Sequence, residues 1–150
     1  MKPIRRILVT TDFSDTSKQA VGPAVDLARK FGAKLILAHI EEAQLPALVI
    51  EYASVGLEEI QRRQVERAAD LLAGFERDQL GDDIEVERVV RAGTPHVEIV
   101  RLAEERDIDL IVMATHGRGF ISHALLGSTT ERVLRRAPCP VFVIRDRVVD

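Results

Sequence analysis

The run Leu110-Ile111-Val112-Met113 is entirely apolar, and the segment Thr115 to Leu126 lies between it and a helical pattern at about Thr129 to Ala137. An unbroken apolar run of this length is typical of a strand covered on both faces. Two prolines end the helical pattern before a second apolar run, Val141-Phe142-Val143-Ile144. A strand, a helix and a strand in this order predict a parallel βαβ unit.

The same alternation begins at the N-terminus. Ile7-Leu8-Val9 predicts strand one, and the N-cap residues Ser14-Asp15 open a helix that ends at about Phe31, before Gly32. The continuous apolar run Leu35 to Ile40 predicts strand two. The first half of the chain therefore contains a second βαβ unit.

The middle of the chain continues the series after Glu41 to Val55, a stretch without clear periodicity that predicts a loop or a partly ordered lid. Helical spacing returns from Leu57 through Phe75, and strand three follows as an edge strand that alternates with acidic residues. Thr94-Pro95 then opens a helix that runs to Arg106. The residues available for a buried stripe of the long helix are Ile60, Ala68, Leu71, Leu72 and Phe75, and those that indicate strand three are Ile84, Val86, Val89 and Val90.

Five apolar strands separated by helices predict one α/β domain over residues 1–150, with a parallel sheet joined by right-handed crossovers. In such open sheets, ligands bind beyond the carboxyl ends of the strands, where the strand order reverses.

Composition restricts the class of protein. The chain is 46% apolar and 30% charged, and it has no apolar run long enough to cross a bilayer. A net charge of −3 gives no overall attraction to nucleic acid, and Arg132, Arg135 and Arg136 are interpreted as a solvated helix face. Cys139 is the only cysteine and is interpreted as an ordinary buried thiol. With no signal-peptide pattern, we expect a cytoplasmic protein that binds neither membrane nor nucleic acid.

A candidate phosphate loop lies between the fourth strand and the last helix. It comprises Ala114-Thr115-His116-Gly117, nine further residues, and Gly127-Ser128-Thr129-Thr130-Glu131. A helix N-terminus presents unpaired backbone N–H groups and a positive dipole end, and glycine lets an anion approach the main chain. The structural alternative is that Ser128 and Glu131 form a capping box and the glycines only serve turns.

Several separate segments resemble the universal stress protein family over nearly the whole chain. These are Ile7-Leu8-Val9 with Thr11-Asp12-Phe13-Ser14, Leu37-Ala38-His39-Ile40, Gly93-Thr94-Pro95, Met113-Ala114-Thr115-His116-Gly117 leading to Leu125-Leu126-Gly127-Ser128, and Ala137-Pro138-Cys139-Pro140-Val141. The resemblance implies an open five-stranded parallel sheet in the order 3-2-1-4-5, with helices on both faces, of the adenine nucleotide alpha hydrolase-like type. It also implies a dimer and, in one branch of the family, an ATP site with the pattern G-x-x-G-x9-G-[S/T].

This chain keeps the second and third glycines of that pattern but has Ala114 at the first. A negative φ at Ala114 makes alanine inexpensive there, whereas a positive φ or a phosphate against its methyl group weakens binding. The resemblance implies that Thr10 and Asp12 line the adenosine end, that the backbone of Ile40 contacts adenine, and that the two halves of the loop surround the triphosphate. The implied nucleotide-binding residues are Thr10, Asp12, Ile40, Ala114, Thr115, His116, Gly117, Arg118, Gly119, Phe120, Gly127, Ser128, Thr129 and Thr130. For Asp12 the structural alternative is a loop cap near the first helix.

The functional hypothesis is a stress-response or signalling module that binds ATP or a related adenine nucleotide, with Mg²⁺ bridging the phosphates because the pattern has no phosphate-binding lysine. His39, His96, His116 and His123 have no metal-binding spacing, so we expect no metal site built by the protein, and no catalytic base is evident. The alternatives are a slow ATPase and a nucleotide-free dimeric interaction protein.

Assembly is predicted from the last strand. In the implied order, Val141, Phe142, Val143 and Ile144 lie at a sheet edge that no charge or bulge blocks, so two copies are expected to pair there as a homodimer. The alternative is that the last helix or the tail Arg147 to Asp150 covers this edge.

Overall fold

Five strands form one parallel sheet in the computed structural model, which describes residues 1–42, 56–116 and 126–145. The strand order is β3-β2-β1-β4-β5, and every pairing is parallel. This confirms the predicted fold class. The strands are β1 (Arg6–Thr10), β2 (Lys34–Glu41), β3 (Val86–Ala92), β4 (Leu110–Ala114) and β5 (Val141–Ile144).

Four helices connect the strands: α1 (Asp15–Phe31), α2 (Leu57–Gln79), α3 (Pro95–Glu105) and α4 (Ser128–Arg136). The side chain of Ser14 caps α1 by accepting a hydrogen bond from the N–H of Ser17. Gly32 ends α1 with φ of 62°, the left-handed conformation that glycine adopts without steric cost. The predicted start and end of α1 are therefore confirmed.

The sheet separates two cores. On one face, α1 and α2 pack on Ile7, Val9, Leu35 and Leu37, all fully buried. On the other face, α3 and α4 pack on Leu8, Ile36 and Ile111, with Val133 of α4 completely buried. Because side chains alternate along a strand, neighbouring residues of β1 and β2 enter opposite cores. This explains why both strands are continuous apolar runs.

Three details of the sequence interpretation are wrong. Leu71 is 52% exposed, because a helical residue next to the buried Leu72 points about 100° away from it. Strand three begins at Val86, and Ile84 packs against the core from the preceding segment. The helix α4 begins at Ser128 with Gly127 as its N-cap, so Ser128 does not occupy the capping-box position. The prediction for the start of α3 is confirmed, since Thr94 is its N-cap and Pro95 its first residue, although the Thr94 side chain makes no capping hydrogen bond.

The strand order reverses at β1, since the chain moves outward from β1 through β2 to β3 and then returns through β4 to β5. The carboxyl ends of β1 and β4 diverge at this point and leave a crevice between their loops. The predicted edge positions of β3 and β5 are confirmed. Within the described residues, no helix is both long and apolar enough to span a membrane. The predicted loop over Glu41 to Val55 lies outside the described residues beyond Glu42, as does the tail from Arg147 to Asp150.

Candidate functional site

A cavity of about 650 Å³ occupies the crevice at the carboxyl ends of β1, β2 and β4. Its volume is within the range of small-molecule sites, roughly 300 to 1,000 Å³. The parallel sheet places the loop after β1, the end of β2, the end of β4 and the beginning of α4 around one space. Its lining consists of Thr10, Thr11, Asp12, Ser17, His39, Ile40, Glu41, Glu42, Gln64, Pro95, Ile99, Met113, Ala114, His116, Gly127, Ser128, Thr129 and Thr130.

The sequence prediction and this lining overlap closely. Of the predicted nucleotide-binding residues that the structure describes, all but Thr115 line the cavity. Thr115 is buried, and its hydroxyl lies 3.1 Å from Nδ1 of His116. The predicted residues Gly117, Arg118, Gly119 and Phe120 lie outside the described residues.

The N-terminus of α4 forms one wall of the cavity. Gly127 is the N-cap, and no side chain in the described part of the chain caps the helix. The hydroxyl of Thr130 donates to the carbonyl of Ala114 at 3.0 Å, which joins the first turn of α4 to the end of β4. Because the first N–H groups of a helix have no intrahelical acceptor, Ser128, Thr129 and Thr130 give this wall the donors and the positive dipole end that an anion requires.

Gly127 is closely packed against the segment that follows β4. Its φ of −62° is open to any residue, but a Cβ atom at this position would lie 3.1 Å from Cα and 3.2 Å from Cβ of His116. The N–H of Gly127 also donates to the carbonyl of Thr115 at 2.7 Å. A larger residue would therefore separate α4 from the loop that follows β4.

Ala114 has an ordinary backbone conformation. It is the last residue of β4, pairs with Ile144, and is absent from the described residues with positive φ. The sequence departs from the family pattern here, but the backbone does not require glycine. Alanine is therefore inexpensive at this position in conformational terms.

The loop after β1 is held by its own side chains. Oδ1 of Asp12 accepts hydrogen bonds from both the N–H and the hydroxyl of Ser14, while the hydroxyls of Thr11 and Ser17 lie 2.8 Å apart. Thr11 also accepts from the N–H of Phe13. The capping alternative for Asp12 is thus realised, and the same residue lines the cavity. A carboxylate accepts up to about four hydrogen bonds, so the two roles are compatible.

Sequence reasoning missed part of the wall near the end of β2, where it predicted only Ile40. His39, Glu41, Glu42 and Gln64 also line the cavity, and none of them was predicted as a site residue, although His39 belongs to a segment that carries the family resemblance. Glu41, predicted as the first residue of a loop, is instead the last residue of β2, where it lies on the same face as His39. Gln64 reaches the site from α2, a placement that only the tertiary structure defines.

The charges around the cavity are mostly acidic. The lining that the structure describes contains Asp12, Glu41 and Glu42 but no lysine or arginine. No group of three or more potential metal ligands occurs among the described residues. Among the described residues, the groups that suit a polyanionic ligand are therefore those of the helix N-terminus and of the backbone.

Cys139 lies away from this cavity. It is half-buried beside the α3 and α4 core, and burial together with the negative charge of Asp109 raises the pKa of its thiol. A raised pKa keeps the sulfur protonated and poorly nucleophilic at neutral pH. This agrees with the interpretation of Cys139 as a structural thiol.

The amino-acid sequence of this chain is similar to sequences of known proteins. Residues 3–145 match the sequence profile of the Universal stress protein family. The chain belongs to that family. A universal stress protein of Thermus aquaticus is 33% identical over 148 residues, with 94% of this chain and 98% of that protein covered. Universal stress protein MJ0577 of Methanocaldococcus jannaschii is 27% identical, with 94% of each chain covered.

Solved universal stress proteins share the fold. The structure of MJ0577 superimposes with a TM-score of 0.83 at 27% identity, covering 98% of this chain and 99% of that one. A universal stress protein solved in complex with cAMP superimposes with a TM-score of 0.66 at 26% identity, covering 97% of this chain and all of that one. The recognition of the family from separate motifs is confirmed.

Proposed function

We propose that this universal stress protein binds ATP, or a related adenine nucleotide, in the cavity at the carboxyl ends of β1, β2 and β4. The observation that carries the proposal is the convergence of the N-terminus of α4, which no described side chain caps, with the loop after β1 in one cavity of suitable size. An adenine nucleotide is favoured as the ligand class because a family member was solved in complex with cAMP.

The phosphates are assigned to the α4 side of the cavity. The N–H groups at the beginning of α4 and the hydroxyls of Ser128 and Thr129 supply donors to phosphate oxygens. Gly127 keeps this turn close to His116, so the donors and the loop after β4 can contact the same group. The predicted residues Gly117 to Phe120 would complete this end of the site.

The adenosine is assigned to the opposite side. Thr10 and Asp12 offer a hydroxyl and a carboxylate to the ribose, and the backbone of Ile40 offers a donor and an acceptor to the base. Ile40 is 9% exposed near the end of β2 and lines the cavity. An apolar strand end next to a few polar groups is the usual composition of a small-molecule site.

A divalent ion fits this arrangement as a partner of the phosphates. The acidic lining and the absence of lysine and arginine from its described part leave much of the triphosphate charge to be neutralised by another group. Mg²⁺ is commonly held by substrate phosphates with few protein ligands. It would supply charge neutralisation, and the chain itself would supply orientation through α4 and the loop after β1.

The proposed role is that of a stress-response or signalling module, acting in the cytoplasm as a homodimer over a single domain. No catalytic base is assigned, so any ATP hydrolysis is expected to be far slower than the typical enzyme turnover of about 10 per second. The bound and free states would then differ in the surface that they present to a partner.

Titration calorimetry with ATP and Mg²⁺, beside ADP, AMP and cAMP, tests the proposal. Wild type should bind at least one of these nucleotides, and Gly127→Val should remove the binding because valine displaces His116. Gly56→Val is the matched control, since Gly56 is the N-cap of α2 with a similar backbone conformation and open space where its Cβ would lie. Absence of binding by a folded wild type would favour the nucleotide-free dimeric alternative.

A further inference from the structure

A group of basic side chains lies on α3 and α4, just outside the cavity. Arg132 and Arg136 are exposed on α4, and His96 is half-buried at the second position of α3. Burial and the positive charges of both arginines lower the pKa of His96, so the three side chains lie within electrostatic reach of one another. These three residues are called the basic ridge below.

The two arginines of the basic ridge carry charge that no carboxylate balances in the described part of the chain. Other arginines of the same two helices are paired. Arg101 of α3 lies 2.6 Å from Glu98, and Arg135 of α4 lies 2.8 Å from Glu131. No ion pair of this kind holds either arginine of the ridge among the described residues. Two positive charges are thus available to an external anion.

Helix geometry places the basic ridge next to the phosphate end of the cavity. Arg132 and Arg136 follow Thr129, a residue of the cavity lining, by three and seven positions, so all three lie on one face of α4. A helical side chain tilts toward the N-terminus and covers the surface of the preceding turn. For Arg132 that turn contains Ser128 and Thr129, the residues assigned to the phosphates.

The distribution of charge gives a phosphate chain its direction. Asp12, Glu41 and Glu42 line the cavity at β1 and β2, the side assigned to the uncharged adenosine. Each phosphate beyond the first adds negative charge, so repulsion from these carboxylates directs the chain away from that side. The basic ridge adjoins the α4 side, and Pro95 of the cavity lining directly precedes His96. An extended phosphate chain therefore gains attraction by leaving the cavity over the ridge.

We propose that the basic ridge is an outer phosphate site, at which Arg132 and Arg136 bind the terminal phosphates of a nucleoside di- or triphosphate. This site depends on the proposed function and specifies its ligand class. The first phosphate lies at the N-terminus of α4, and the guanidinium groups donate charge-assisted hydrogen bonds to the phosphates beyond it. His96 adds a ring N–H donor. A monophosphate does not extend to the ridge, so the protein selects nucleotides by the number of their phosphates.

Titration calorimetry at constant Mg²⁺ and salt concentration tests the selection, since salt screens the attraction between exposed charges. Wild type should bind ATP more tightly than AMP. The double variant Arg132→Gln with Arg136→Gln should weaken ATP binding about tenfold, the scale of a charge-assisted hydrogen bond, and AMP binding by less than about twofold. Glutamine has nearly the helix propensity of arginine, so α4 should be retained.

The double variant Arg101→Gln with Arg135→Gln is the matched control. It makes the same change in net charge on α3 and α4, but it removes arginines that are paired with carboxylates outside the ridge. The ratio of ATP to AMP affinity should remain that of wild type. An equal loss of ATP affinity in the two double variants would mean that only net charge matters, and it would overturn the proposal.

NMR of the arginine side chains locates the phosphates independently. In wild type, titration with ATP should shift the Nε–H resonances of Arg132 and Arg136, and titration with AMP should shift them much less. The Nε–H resonances of Arg101 and Arg135 should stay unchanged with both nucleotides. Unchanged resonances at Arg132 and Arg136 while ATP saturates the protein would contradict an outer phosphate site.

The outcomes distinguish the outer phosphate site from the proposed function. Equal affinity of wild type for ATP and AMP, or an equal loss of both in the ridge variant, would overturn the outer site and leave the function standing. Absence of binding of any adenine nucleotide by folded wild type would overturn the function, and the outer site with it.

Discussion

Single residues decide whether the family pattern works in this chain, and Ala114 is the residue where the chain departs from it. Ala114→Gly restores the glycine of the pattern and removes one methyl group. Since Ala114 has no positive φ, we expect nucleotide affinity to change by less than about threefold and stability to fall by about 0.5 to 1 kcal/mol. Calorimetry for affinity and urea unfolding for stability check both values.

A gain in affinity of more than about tenfold in Ala114→Gly would contradict this account. It would mean that the methyl group obstructs a phosphate and lowers the nucleotide affinity of the wild-type site. Gly74→Ala is the comparison variant. It exchanges the same two residue types in α2, and its methyl group is added away from the cavity.

The sequence predicted the residues of the site that belong to a contiguous pattern. Asp12 and Ser128 follow strands directly, so their place at the carboxyl end of the sheet is a consequence of parallel topology. His39 and Gln64 were not predicted as site residues, since their role depends on what lies across from them. The partner of His39 is a backbone carbonyl 28 residues away, and a carbonyl has no sequence signature.

At the scale of elements, α2 allows a direct test of packing. Leu72 is completely buried and Leu71 is 52% exposed, although the two are adjacent and chemically identical. Leu72→Ala should lower the free energy of unfolding by about 2 to 5 kcal/mol through lost burial and a cavity, and Leu71→Ala by less than about 1 kcal/mol. Chemical denaturation measures both, and equal losses would contradict the orientation of α2.

The elements themselves were largely predictable because apolar runs and capping residues are local signals. The prediction for β5 matches the structure residue for residue, and α1 ends at Phe31 as expected. The phase of α2 was less certain from the sequence, since Leu71 and Leu72 both fit a helical stripe and only packing against β2 and β3 separates them. Helix α4 begins at Ser128, one residue before the predicted start. Its N-cap is Gly127, which has no side chain that could indicate a cap in the sequence.

At the scale of the whole molecule, the position of β5 at the edge of the described sheet predicts a homodimer. The carbonyls of Pro140 and Ile144 accept hydrogen bonds from β4, so alternation directs the backbone groups of Val141 and Val143 toward the outer edge. Phe142 is 48% exposed on this strand. Antiparallel pairing of two copies would satisfy these groups and cover apolar surface.

Val143→Pro should therefore yield monomer or aggregate, because it removes an outward N–H and leaves the pairing with β4 in place. Val143→Thr is the control, since it keeps the backbone donor in a residue of similar shape and should remain dimeric. Light scattering at micromolar concentration gives the oligomeric state. A monomeric wild type, or a Val143→Pro dimer of unchanged affinity, would rule out this interface.

The central claim is that one adenine nucleotide lies between the loop after β1 and the N-terminus of α4. Amide chemical-shift mapping during titration with ATP and Mg²⁺ tests it most directly. The account predicts that the largest shifts occur at Thr10, Asp12, Ile40 and the first turn of α4, with the opposite end of the sheet around Lys34 and Glu87 unchanged. Saturable shifts centred elsewhere, or none at these amides while ATP binds, would contradict it.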